Sequence, residues 1–170
     1  MPIQSQDNLV RMIQLADEFF GTRSDPSQIS VNQKVMTRLR KIHPSTMGEK
    51  RLRGGPIAWV LVIPTTKALM KRFIKKQITE LELLDQTPLH GKYETVYLCS
   101  ALVLPEYRGK GLAKRLLIKA LKSIQRQHPI ESLFCWAFSR VGKKLAASVA
   151  DDLYLPLYQR TGKTNRYFSA

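Results

Sequence analysis

Apolar residues along this chain change their spacing several times, and each change marks an element. Leu9, Ile13, Ala16 and Phe20 recur at spacings of four, three and four, which predicts a helix stopped by Gly21. A polar stretch follows. Ser30 with Gln33 reads as a capping box opening a second helix, whose apolar stripe is Val31, Val35, Leu39 and Ile42 and which Pro44 ends. The turn signal Arg53-Gly54-Gly55-Pro56 precedes a continuous apolar run from Ile57 to Ile63, predicted as a strand. Leu69, Met70, Phe73, Ile74, Ile78 and Leu81 predict one helix from about residue 67 to 85. Val96 to Leu104 is apolar at both parities, the mark of a central strand. Helical periodicity returns from Gly111 to Gln127, Leu133 to Phe138 reads as a third strand, and residues 142 to 153 as another helix. The last few residues suit a short edge strand. Strands separated by helices predict an α/β (α+β) fold with partly parallel pairing, in one domain over residues 1–170 whose first 50 residues are helical.

Composition narrows the class. The chain has 170 residues, 44% hydrophobic and 24% charged, enough to bury a core without staples. Its longest apolar run, Ile57 to Ile63, is too short to span a bilayer. Met1-Pro2-Ile3-Gln4 carries no basic region leading into an apolar one, so the expectation is a cytoplasmic protein with no export signal. Cys99 and Cys135 each lie inside an apolar run and are expected as reduced, packed thiols. His43, His90 and His128 lie beside or near prolines in predicted loops, and solvated loop histidines are expected at all three. No residues have metal-ligand spacing, so no metal is expected. Trp59 and Trp136 are expected in the core, with Trp136 placed to border an acceptor pocket.

Chemistry concentrates between Leu102 and Leu117. A strand runs through Pro105, Gly109 and Gly111 straight into a helix. Glycine permits positive φ and close backbone approach, and the first helical amides point outward without partners. With the partial positive charge of a helix N-terminus, such a turn cradles an anion and suits a pyrophosphate. Arg108, Lys110 and Lys114 stand around it. Two other phosphate loops do not fit: the third glycine of a dinucleotide fingerprint is missing, and Gly162-Lys163-Thr164 has Leu157 where a P-loop needs glycine.

Arg108, Gly111 and Ala113 instead fill, in register, the acetyl-CoA signature Arg/Gln-x-x-Gly-x-Gly/Ala, and the segment resembles the GNAT family of N-acetyltransferases over residues 93–140. The resemblance implies a GNAT-like mixed central sheet flanked by helices, with an atypical helical N-terminal part. It implies acetyl-CoA as cosubstrate, its pyrophosphate on Arg108, Gly109, Lys110, Gly111, Leu112, Ala113 and Lys114. It implies a pantetheine arm beside Leu102, Val103 and Leu104, whose strand splays from its neighbour. Leu157-Tyr158-Gln159-Arg160-Thr161-Gly162 resembles the family's Leu-Tyr-x-x-x-Gly segment, making Tyr158 the implied acid for the departing thiolate, with Tyr154 in competition. A phenol, neutral at pH 7, suits that step. The family's strand glutamate would fall at Tyr97; nearby Glu94 has the wrong parity unless a bulge intervenes. Direct attack of an amine on the bound thioester is the implied mechanism, the acceptor is unidentified, and a homodimer is compatible with the family.

Charge supports a second class of reading. The net charge is +15, and residues 108 to 126 supply seven cations and no acid. On the predicted helix Arg115, Lys119, Lys122 and Arg126 form a stripe about 200° from the apolar stripe of Ala113, Leu117, Ala120 and Ile124. That stripe reads as a solvated face or as a track for nucleic-acid phosphates, without the aromatic platforms that strengthen the latter. A CoA-binding protein without turnover is a third reading. The overall charge disfavours a strongly cationic acceptor.

Overall fold

In the computed structural model the described residues are 7–20, 28–29, 32–136 and 139–161. Five strands, β1 (Met47–Leu52), β2 (Gly55–Thr65), β3 (Thr95–Val103), β4 (Ser132–Cys135) and β5 (Leu157–Gln159), form one sheet in chain order. β1, β2 and β3 pair antiparallel, while β3, β4 and β5 pair parallel. The helices are α1 (Asn8–Phe20), α2 (Gln33–Ile42), α3 (Lys67–Ile74), α4 (Glu80–Gln86), α5 (Leu112–Gln125) and α6 (Arg140–Asp152).

β3 is buried at every position, as its double-sided apolar pattern requires. Ala58, Val60 and Val62 of β2 face α5 and α6, which contribute Ala113, Leu117, Ala120, Leu121, Ile124, Ala146 and Val149. The opposite sheet face carries Leu61, Ile63, Tyr97 and Phe134 against α2, α3 and α4. At its upper end Ile57, Leu102 and Leu104 receive Met12 and Leu15 of α1.

Four expectations need correction. The stripe of α1 is turned: Leu9 and Ile13 are exposed, and Met12 and Leu15 are buried because they face Leu102 and Leu104. The helix expected from 67 to 85 is two. Lys76 takes a left-handed conformation, φ 62°, and Thr79 restarts the chain with a capping box: Glu82 N–H donates to Thr79 Oγ1 at 3.1 Å and Thr79 N–H to Glu82 Oε2 at 2.8 Å. β1 lies where no strand is expected, because its alternation is blurred by exposed charged residues at an edge. The Arg53-Gly54 turn joins it to β2. Helix α2 is capped by Asn32, whose Oδ1 accepts from Val35 N–H; Ser30 and Val31 lie outside the described residues, as do Gly21, Phe138 and the chain after residue 161. Arg38 of α2 donates to the carbonyls of Leu84, Asp85 and Thr87, closing the C-terminal end of α4.

His43 is the fourth correction. It is buried, not solvated, and His128 packs edge-on to it at 5.9 Å, while His90 is exposed. Ser45 N–H donates to His43 Nδ1 at 3.0 Å, so the neutral ring carries its proton on Nε2, which lies 3.0 Å from Gln127 Oε1. Burial holds this imidazole below its ordinary value, partly offset by the bond to Gln127, and His128 is lowered as well, first by burial and then by His43 and Lys92. Below the ordinary value of 6.5 the unfolded chain takes up protons that the fold resists, so stability falls with falling pH. The Tm is expected to drop between pH ~7.5 and ~5.5, and less steeply in His43→Asn. Superimposable pH profiles for the two proteins would refute the assignment.

Candidate functional site

The site is set by unequal strand lengths. β3 pairs with β2 as far as Val103, but its ladder with β4 stops at Leu98 and Cys135. Residues 99–103 of β3 therefore run on beyond the end of β4, and the sheet opens there. A bulge marks the same place: Leu61 pairs with Ser100 and Val62 with Leu98, so β3 carries one extra residue. Parity shifts accordingly. Val96 and Leu98 face α5, Cys99 faces the opposite side, and Ala101 and Val103 face α5 again.

At the top of β3 the chain makes a short 3-10 turn, Pro105–Tyr107, and enters α5 through Gly109, φ 75°, and Gly111, φ 74°. Both conformations are left-handed, which costs an L side chain roughly 1–2 kcal/mol. A Cβ on Gly109 would meet nothing within 4 Å, so glycine is required there by backbone conformation and not by crowding. The first helical bond of α5 runs from Arg115 N–H to Gly111 O, so Leu112, Ala113 and Lys114 present amides with no carbonyl inside the helix. These amides and the two glycines form a concave, electropositive end for an anion.

The cations around the loop are already engaged. Arg108 Nε donates to Val103 O at 3.0 Å, Lys114 Nζ pairs with Asp152 at 3.0 Å, and Lys110 Nζ lies 5.5 Å over the Tyr107 ring. A clamp outside the motif holds the turn. Arg11 of α1 grips Glu106 with both guanidinium arms, at 2.5 and 2.7 Å, and its hydrogen bonds hold the Glu106 carboxyl below its ordinary range. Arg11 has no sequence signal of its own, lying 95 residues from its partner.

Leu102, Val103 and Leu104 thus lead directly into Arg108 to Lys114, and these expected residues are brought together. Tyr158 is not brought to them. It lies on β5 in register with Phe134, 46% exposed, and Tyr154 is 94% exposed. Glu94 precedes β3 at the end opposite the loop, roughly 30 Å of strand from Val103 and ahead of the bulge.

At the apex of the opening, on the face opposite α5, stand groups that only in part carried a sequence signal. Glu80, 1% exposed at the start of α4, accepts from Cys99 Sγ at 3.0 Å. Trp136 directly follows β4, and Arg160 directly follows β5, its backbone N–H donating to Cys135 O at 2.9 Å. The Arg160 guanidinium lies 4.3 Å over the Trp136 ring and 4.6 Å over Phe73, with Nη1 donating to Ile78 O. Burial pulls this guanidinium down, and the nearby Tyr97 and Glu80 partly restore it.

The basic stripe of α5 is exposed, as its spacing implies, and forms one wall of a groove of about 650 Å³ against Pro44, Ser45, Met47 and Gly48. Cys99 and Cys135 are both buried. Among the described residues no helix is long and apolar enough to cross a membrane, and no cluster of three or more potential ligands could hold a metal.

Comparison with known proteins bears on the same segment. Residues 79–139 match the model of the acetyltransferase (GNAT) family. No curated protein sequence matches the chain. Among solved structures the chain is similar to an aminoglycoside acetyltransferase from an uncultured soil metagenomic sample, at 14% identity and a TM-score of 0.43, covering 86% of this chain and 78% of that one. The matched residues 79–139 span α4, β3, the glycine turn, α5 and β4, and this part of the chain is similar to the acetyltransferase (GNAT) family.

Proposed function

We propose that the protein transfers the acetyl group of acetyl-CoA to an amine. The observation that carries this reading is the joining of a strand that outruns its parallel neighbour to a left-handed glycine turn at a helix N-terminus. The turn at Arg108 to Lys114 fits the CoA pyrophosphate, which backbone amides bind by direction as well as by charge. Residues 99–103 of β3 fit an extended pantetheine arm, leaving the thioester at the apex beside Leu98 and Cys99. There the neutral amine attacks the thioester carbonyl carbon. The carbon–sulfur bond breaks, CoA leaves as a thiolate, and the nitrogen loses a proton to solvent water as the amide forms. The amides of Leu102 and Val103 lie about four strand residues, roughly 12 Å, from the apex, so a backbone amide of β3 near Cys99 is the candidate oxyanion donor. Tyr158 is the candidate proton donor to the thiolate, and solvent is the alternative source.

Acetyl-CoA at ~1 mM is expected to raise the Tm, by an amount that follows its concentration relative to Kd. Gly109→Val and Gly111→Val each force an L side chain into the left-handed region. Each is expected to cost about 1–2 kcal/mol of stability in urea and to abolish the acetyl-CoA shift. An unshifted Tm for the unaltered protein would end the acetyltransferase reading. Tyr158→Phe is expected to lower kcat while leaving KM for acetyl-CoA unchanged; an unchanged kcat removes Tyr158 from the reaction.

A nucleic-acid-binding reading draws on the α5 groove, where Arg115, Lys119, Lys122 and Arg126 stand together. It requires affinity for single- or double-stranded nucleic acid that falls steeply with salt and is lost when these four are neutralised.

A further inference from the structure

Two buried donors at the apex lack acceptors. Trp136 Nε1 and Arg160 Nε are both buried and make no hydrogen bond, although the two side chains themselves are only partly buried. A buried donor left unpaired is destabilising, and the pair sits in one stack, guanidinium over indole at 4.3 Å. Elsewhere the same side chains are well held: Arg160 Nη1 is bonded to Ile78 O, and both groups pack on Phe73. The position is not arbitrary. Trp136 and the Arg160 backbone both join the end of β4 at Cys135, where the ladder with β3 stops, and Cys99 with Glu80 forms the facing side.

We propose that these groups recognise the acceptor, and that the acceptor is an amine carrying a carboxylate, such as a free α-amino acid. Its carboxylate takes the Arg160 Nε–H and Trp136 Nε1–H donors, and its amino end lies toward the buried Glu80 side chain. Two N–H donors, one of them on a cation, match an anionic acceptor group and not another cation. Polycationic amines meet the fixed guanidinium and are disfavoured, in keeping with a chain of net charge +15. The assignment rests on the acetyl-transfer reading for its chemistry, but the carboxylate subsite can be tested without turnover.

The experiment has two readouts. With acetyl-CoA, CoA thiol release is measured over the common L-amino acids, their carboxamides, a polyamine and an aminoglycoside. The expected result is a preference of about tenfold or more in kcat/KM for a carboxylate-bearing amine over its carboxamide, reduced severalfold in Arg160→Lys and in Trp136→Phe through KM for the amine, with KM for acetyl-CoA unchanged. Without acetyl-CoA, the same amino acids titrate Trp136 fluorescence in Trp59→Phe protein, and Arg160→Lys weakens that binding. Acetyl-CoA binding together with a preference for polyamine, aminoglycoside or carboxamide overturns the inference and leaves acetyl transfer standing. So does acetyl-CoA binding with no response to any amino acid. Amino-acid binding that depends on Arg160, with no acetyl-CoA binding, upholds the subsite and overturns acetyl transfer.

Discussion

β3 must satisfy two neighbours of different lengths, and most of what matters in this protein is a response to that mismatch. On one side it pairs with β2 through Val103; on the other its partner ends opposite Leu98. A strand that loses a neighbour has backbone groups to satisfy and a register free to change, and the bulge at Cys99 lies at that transition. Cys99 keeps the face of Tyr97, toward Glu80, and the extra residue places Ala101 and Val103 in the α5 core. One inserted residue thus keeps the hydrophobic face continuous above and below the opening. The Arg108 guanidinium, bonded to Val103 O, closes the strand's upper end, and the Arg11–Glu106 clamp fixes the turn beyond it.

Much of the fold was legible because burial enforces pattern. The central position of β3, the α5 stripe and the helix Arg140–Asp152 follow from apolar residues at the right period, and the structure buries those stripes. Where burial is one-sided or slight, the pattern misleads. β1 exposes Lys50, Arg51 and Leu52 at the sheet edge, so its sequence lacks a strand's alternation. α1 has apolar residues over more than one face, and only contact with Leu102 and Leu104 selects Met12 and Leu15. The break between α3 and α4 was present in the letters Thr79-x-x-Glu82, but an unbroken apolar rhythm from Leu69 to Leu81 outweighed it.

The candidate site divides along the same line. Its anion cradle is local, built from consecutive residues whose identities are dictated by backbone conformation, and so it was visible. The apex is assembled from Glu80, Cys99, Trp136 and Arg160, brought together from four separate elements by strand order and by the bulge. Of these only Trp136 bordered a pocket in the sequence reading. Arg160 carries no local pattern, since its role arises from the register of β5 beside β4.

The engagement of Arg108, Lys110 and Lys114 with Val103 O, the Tyr107 ring and Asp152 has a consequence for selectivity. With those side chains turned elsewhere, the attraction at the α5 terminus comes mainly from peptide dipoles locked in place by two left-handed glycines. Such dipoles act at contact distance, where dissolved ions screen them little, and they favour a ligand whose oxygens follow the curve of the turn. A cradle built this way would discriminate by shape among anions of equal charge, and the exposed cations elsewhere on this basic surface would not blunt that choice.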